Sequence, residues 1–92
     1  MKRKTVDKPV ESVYNLILNM NGTRYESSGT TLIEAFSALG LDFQQIKTKG
    51  EIIVRKEGKE ANRLIQLPKL RRYFLSKLLL SGLIRDFERL LV

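Results

Sequence analysis

The 92-residue sequence has no cysteine and no histidine, and only two prolines. Without cysteine there is no disulfide framework, no thiol nucleophile and no thiolate ligand for zinc. Without histidine the chain lacks the side chain most often used as a general base near neutral pH. A thiol-free chain suits a reducing, cytoplasmic compartment. Long hydrophobic runs are also missing. The most apolar stretch, Tyr73 to Ile84, is interrupted by Lys77 and is too short to span a bilayer. Lys2-Arg3-Lys4 is followed by no apolar segment, so a secretory signal and a membrane partner are not expected.

Catalytic motifs are equally scarce. The carboxylates, among them Glu26, Glu34, Asp42, Glu51, Glu57, Glu60, Asp86 and Glu88, are scattered along the chain. A glycosidase-like pair or a two-metal site needs such groups to converge. Gly22 to Thr31 contains glycine, serine and threonine but lacks the Gly-Lys-Ser/Thr ending of a phosphate loop. Ser27 and Ser28 have no base to activate a hydroxyl. No catalytic, cofactor-binding or metal-binding residue is therefore assigned, no small-molecule substrate is evident, and the expectation is a non-enzyme.

What is present is a pattern of secondary structure. Residues 1–11 are polar, charged and aperiodic, which predicts a flexible basic tail ahead of a single α+β domain over 12–92. From Ser12 the chain alternates, with Tyr14, Leu16, Leu18 and Met20 on one face and Asn15 and Asn19 on the other. Asn21-Gly22 supplies the two left-handed positions of a type I′ turn, so Met20 faces Thr23, Leu18 faces Tyr25 and Leu16 faces Ser27. Asn21-Gly22-Thr23 also fits a glycosylation sequon, but without a secretory route it reads as a turn.

Thr31 and Glu34 have the spacing of a capping box, Leu32, Ala35, Phe36 and Leu39 form a helical stripe, and Gly40 ends it. Leu41 to Lys49 reads as a connection with a short extended piece through Phe43 and Ile46. Ile52-Ile53-Val54 marks a third strand, Glu57-Gly58 a turn, and Glu60 to Leu67 a fourth strand. A two-residue loop pairs Val54 with Ala61 and a three-residue loop pairs Ile52 with Leu64; the sequence accommodates both. Pro68 opens a final helix, and Ser81-Gly82 leaves open whether that helix runs through or breaks. The expected fold is α+β: two antiparallel hairpins and two helices in the order β-β-α-β-β-α, with the helices on one sheet face. The turn glycines, 22 and 58, lie 36 residues apart, which suggests a duplicated hairpin-plus-helix unit.

Charge is unevenly distributed. Lys47, Lys49, Arg55, Lys56, Lys59, Arg63, Lys69, Arg71 and Arg72 face only Glu51, Glu57 and Glu60, so residues 47–72 hold +6 of the net +7. If these nine share one surface, they suit the sugar-phosphate backbone of a nucleic acid, with Tyr73 available to stack. The same pattern also fits a solvated rim that keeps sheet edges apart, or an acidic protein partner. No RNP, KH or helix-turn-helix pattern accompanies it. The leading expectation is a binding module using this basic surface on nucleic acid.

The alternative lies at the C-terminus. Tyr73, Phe74, Leu75, Leu78, Leu79, Leu80, Leu83, Ile84, Phe87, Leu90, Leu91 and Val92 are more apolar bulk than one face of a four-stranded sheet covers. Leu78-Leu79-Leu80 points three ways round a helix. A protein-interaction or dimer-forming surface through Leu79, Leu83 and Phe87 follows.

Finally, Lys47-Thr48-Lys49-Gly50-Glu51-Ile52-Ile53-Val54 together with Leu67-Pro68-Lys69-Leu70-Arg71-Arg72-Tyr73-Phe74 resembles small uncharacterised proteins encoded by bacteriophages and prophages. The resemblance implies a host-cytoplasmic setting and a role as an accessory or assembly factor. It carries over no functional residue.

Overall fold

The computed structural model describes residues 13–92; the expected tail, 1–11, and Ser12 lie outside the described residues. Four strands, β1 (Tyr14–Met20), β2 (Thr23–Gly29), β3 (Gly50–Lys56) and β4 (Lys59–Ile65), form one antiparallel sheet in the order β2-β1-β3-β4. Three helices, α1 (Leu32–Ala38), α2 (Leu67–Leu75) and α3 (Lys77–Leu90), pack on one side of it.

Both hairpins turn on two left-handed residues. Asn21 and Gly22 have φ of 52° and 80°, and Glu57 and Gly58 have 53° and 79°. That geometry matches the strand twist and fixes the register. Leu16 pairs with Ser27 and Leu18 with Tyr25 in the first hairpin, and Val54 pairs with Ala61 in the second, which selects the two-residue alternative. The hairpins join through their first strands, where Leu16 faces Val54 and Leu18 faces Ile52. These four side chains, with Met20, Ala61 and Ile65, form the floor of the core, and Leu32, Phe36, Leu70, Leu83, Ile84 and Phe87 cover it from the helices. Phe36 and Phe74 meet edge to face at 6.3 Å between centroids.

Helix α1 starts where threonine and glutamate predict, with a shifted capping pattern. Thr31 Oγ1 accepts from the Glu34 backbone N–H, while the Glu34 carboxylate reaches one residue further back, to the Thr30 hydroxyl (2.6 Å) and backbone N–H (3.1 Å). The hydroxyl bond, followed by the amide bonds, holds the Glu34 carboxyl below its ordinary value.

Three expectations are corrected. The segment through Phe43 is not extended. Asp42 accepts N–H bonds from Gln44 and Gln45, and the Gln45 side chain returns to the Asp42 N–H. This local network winds Phe43–Gln45 into a 3-10 turn and delivers Ile46 to the core. The single C-terminal helix expected is two helices, divided at Ser76, and the point left open at Ser81-Gly82 is continuous helix. Ser76 leaves helical space (φ −120°, ψ 116°), donates its N–H to Arg72 O, and accepts the Leu79 N–H on its hydroxyl. The fourth strand accordingly ends at Ile65, and Leu67 belongs to α2.

Candidate functional site

The nine basic residues of 47–72 are divided by the strand alternation that builds the sheet. Arg55 lies on the open face, where it donates to Glu60 at 2.7 Å. Elsewhere on the same face Arg24 is bonded to Glu26, and Asn62 to Glu51. Two arginines among three glutamates make this face close to neutral, and at its centre Ile17 pairs with Ile53. Arg63 points to the opposite side and reaches Asp86 of α3 at 3.4 Å; both side chains are about half exposed, so the pair contributes little.

Lys56 and Lys59 flank the β3–β4 turn. The Lys56 ammonium stands 4.3 Å from the Tyr14 ring centroid, and Glu57, Glu60 and Glu88 are close by. The other five, Lys47, Lys49, Lys69, Arg71 and Arg72, gather at the far end of β3, beyond Gly50 and Ile65. The length of β3 separates the two ends by about 20 Å. Arg71 serves the fold itself. Its Nε donates to the Ile46 carbonyl at 2.7 Å in a half-buried position, tying α2 to the 3-10 segment. Among the described residues, Lys47, Lys49, Lys69 and Arg72 make no salt bridge.

The apolar surface lies beside this cationic end. Because Ser76 breaks the helix, Leu75 closes α2 while Leu78 and Leu79 open α3, and all three are exposed, Leu78 to 83%. The buried stripe of α3 runs through Leu83, Ile84 and Phe87, so Leu78 lies on the reverse side of the helix. Of the three expected interface residues, only Leu79 is accessible. Leu83 and Phe87 are 2% and 0% exposed, because they lie on the stripe that packs against this chain's own sheet.

Between α2 and the first turn of α3 lies a crevice of about 320 Å³ lined by Gln66, Pro68, Lys69, Arg72, Tyr73 and Leu79. Pro68, the Tyr73 ring and Leu79 form its apolar walls, and Lys69 and Arg72 stand beside them. The Lys69 ammonium is 6.0 Å from the Tyr73 centroid, at the outer limit of a cation–π contact. From Ala61 to Arg85 the chain carries Arg63, Lys69, Arg71, Arg72, Lys77 and Arg85 and no carboxylate. The corner is therefore apolar at its centre and cationic at its margin.

The sequence showed that some leucine of Leu78-Leu79-Leu80 must face outward, but neither the crevice nor which leucines are exposed was legible. The available signal was Ser76, an N-cap residue type before a lysine and three leucines, but the apolar pattern continues across it and hides the break. Among the described residues no cluster of three acidic side chains could hold a metal ion, and no helix is long and apolar enough to cross a membrane. Comparison of the chain with protein-family models, with curated proteins and with solved structures returns no match.

Proposed function

We propose that this chain is a non-enzymatic protein-binding module that docks through the corner between α2 and α3. The observation that carries the reading is the apolar crevice walled by Pro68, Tyr73 and Leu79, together with the exposure of Leu75 and Leu78 on the same two helices. Other exposed apolar residues, such as Ile33 on α1 and Leu64 on β4, belong to separate elements, and isolated ones are normal on any surface. A concave apolar wall whose two helices also expose leucines is a recognition feature. The test places a photo-crosslinking amino acid at position 78 and, as control, at position 28 on the open sheet face, in cells of the source organism. A discrete protein adduct from 78 that is absent from 28 is expected; adducts of equal yield from both sites, or none from 78, overturn the reading.

A second reading has its own support. Lys47, Lys49, Lys69 and Arg72 make a local cationic end without salt bridges, suited to phosphate oxygens. It predicts oligonucleotide affinity that falls steeply with salt and flattens in Lys69→Ala/Arg72→Ala. Salt-independent binding removes it.

A further inference from the structure

We infer that the partner of the α2–α3 corner is an acidic amphipathic helix of another protein, which inserts a large apolar side chain between Pro68, Tyr73 and Leu79 and sets carboxylates against Lys69 and Arg72. This rests on the protein-binding reading and names the chemistry of the partner. Three features of the corner select that occupant.

The first is sign. Lys69 and Arg72 line the crevice, Lys77 opens α3 beside it, and the chain supplies no carboxylate of its own from Ala61 to Arg85. A second copy of the same corner would bring like charges together, which disfavours self-association there. The second is shape. The crevice is concave, and its roughly 320 Å³ lies at the small end of the range for binding pockets, which suits one anchoring side chain. A flat lipid surface does not fill a recess. The third is layout. The crevice lies between two helices, α2 and the first turn of α3, where a further helix can lie in the groove and seat one anchoring side chain. Arg72 and Lys69, three positions apart on α2, then meet carboxylates spaced one turn apart on the partner.

The test uses the full chain and two synthetic helical peptides with the same leucine and phenylalanine positions, one with glutamate and one with lysine on the flanking positions. Anionic vesicles and a single-stranded oligonucleotide are run in parallel. Amide shifts of the isotopically labelled protein locate binding, and titrations give affinity. The acidic peptide is expected to shift residues lining the crevice and to bind about tenfold tighter than its lysine isomer at low salt, the gap narrowing as salt rises. Lys69→Glu/Arg72→Glu, both exposed on α2, is expected to reverse the preference. Leu79→Ala is expected to weaken the acidic peptide several-fold while leaving the oligonucleotide titration unchanged.

Equal affinity for the two peptides, no reversal by the charge swap, shifts outside the corner, or no binding of the acidic peptide at millimolar concentration each overturns the inference. Vesicles or oligonucleotides that shift the crevice residues when the peptide does not overturn it in favour of lipid or nucleic acid. A protein adduct from position 78 that survives Lys69→Glu/Arg72→Glu leaves the protein-binding reading standing and removes only the acidic partner.

Discussion

The two hairpins are the same object built twice and covered in two different ways. Each has two seven-residue strands joined by a two-residue left-handed turn, and the second begins 36 residues after the first, at Gly50 against Tyr14. Their first strands pair about the Ile17–Ile53 contact, so that Leu16 faces Val54 and Leu18 faces Ile52, an approximate two-fold arrangement. The difference lies at the open ends. In the first hairpin the last pair is Tyr14 with Gly29, and in the second it is Gly50 with Ile65. The glycine has moved from an edge strand to a central one. At Gly29 the backbone of α1 comes down onto β2, whereas at Gly50 the space is filled by the side-chain ends of Leu18 and Leu70, the latter from α2. A missing Cβ therefore admits a helix backbone over the edge in one unit and a leucine over the centre in the other.

The largest effects should fall on those two glycines, and they should be unequal. A Cβ on Gly29 would stand 2.8 Å from the Ala35 nitrogen and 2.8 Å from Glu34 Cβ, a clash mainly with a helix backbone that cannot turn aside. Gly29→Ala is expected to cost about 3 kcal/mol in urea unfolding, by displacing α1. A Cβ on Gly50 would meet Leu18 Cδ1 at 2.8 Å and Leu70 Cδ2 at 2.9 Å, both terminal methyls. Gly50→Ala is expected to cost about 1 kcal/mol, because rotamer adjustment relieves it. Equal costs would break the contrast between the two units.

The next contrast is in how each helix is tied down. Ser27 Oγ donates to the Ala35 carbonyl at 2.5 Å, satisfying a last-turn acceptor of α1, while Arg71 Nε donates to the Ile46 carbonyl from α2. The charged donor in a half-buried position is the stronger. Arg71→Ala is expected to cost about 1.5–2 kcal/mol and Ser27→Ala about 1 kcal/mol. Chemical denaturation of the two variants checks the order; a larger loss at Ser27 reverses it.

The strand scaffold was legible because its determinants are local. Asn21-Gly22 fixed a register that the alternation of Leu16, Leu18 and Met20 independently required. The second register stayed open because Glu57-Gly58 puts a non-glycine residue in the left-handed region, at φ 53°, which glutamate seldom signals. The site was less legible for the opposite reason. Charge counted along 47–72 ignores the period of two in strands, which sends Arg55 and Arg63 to opposite faces, and the 20 Å or so that separate hairpin turn from helix start. Leu83 and Phe87 look interchangeable with Leu79 by residue type alone. Only the packing of α3 decides which of them the sheet has already covered.

Helix α3 has no counterpart in the first unit, and its glycine tests whether it is an ordinary packed helix. Gly82 is exposed, and a Cβ there meets nothing within 4 Å. Gly82→Ala is expected to stabilise the fold by about 0.5–1 kcal/mol by reducing the freedom of the unfolded chain. Destabilisation would mean that α3 needs flexibility at this point, and that it stands apart from α1 in kind as well as in number.

The smallest expected effect separates the helix starts by acid. Glu34 bonds the Thr30 hydroxyl and N–H at the start of α1, whereas α2 begins at Gln66-Leu67-Pro68 with no side-chain cap and no carboxylate. The folded-state value of Glu34 lies below its unfolded value, so its contribution is present above the unfolded value and is lost as pH falls through the folded one. Full exposure keeps this contribution small. In an NMR titration the Thr30 amide should report a midpoint below that of an ordinary glutamate, and the first turn of α1 should lose exchange protection before the first turn of α2. Thr30→Val removes the hydroxyl donor and should raise the Glu34 midpoint without touching α2. A Glu34 midpoint at the ordinary value in the unaltered chain would show that the two helices begin without this electrostatic difference, leaving Gly29 and Gly50 as the source of their different placement.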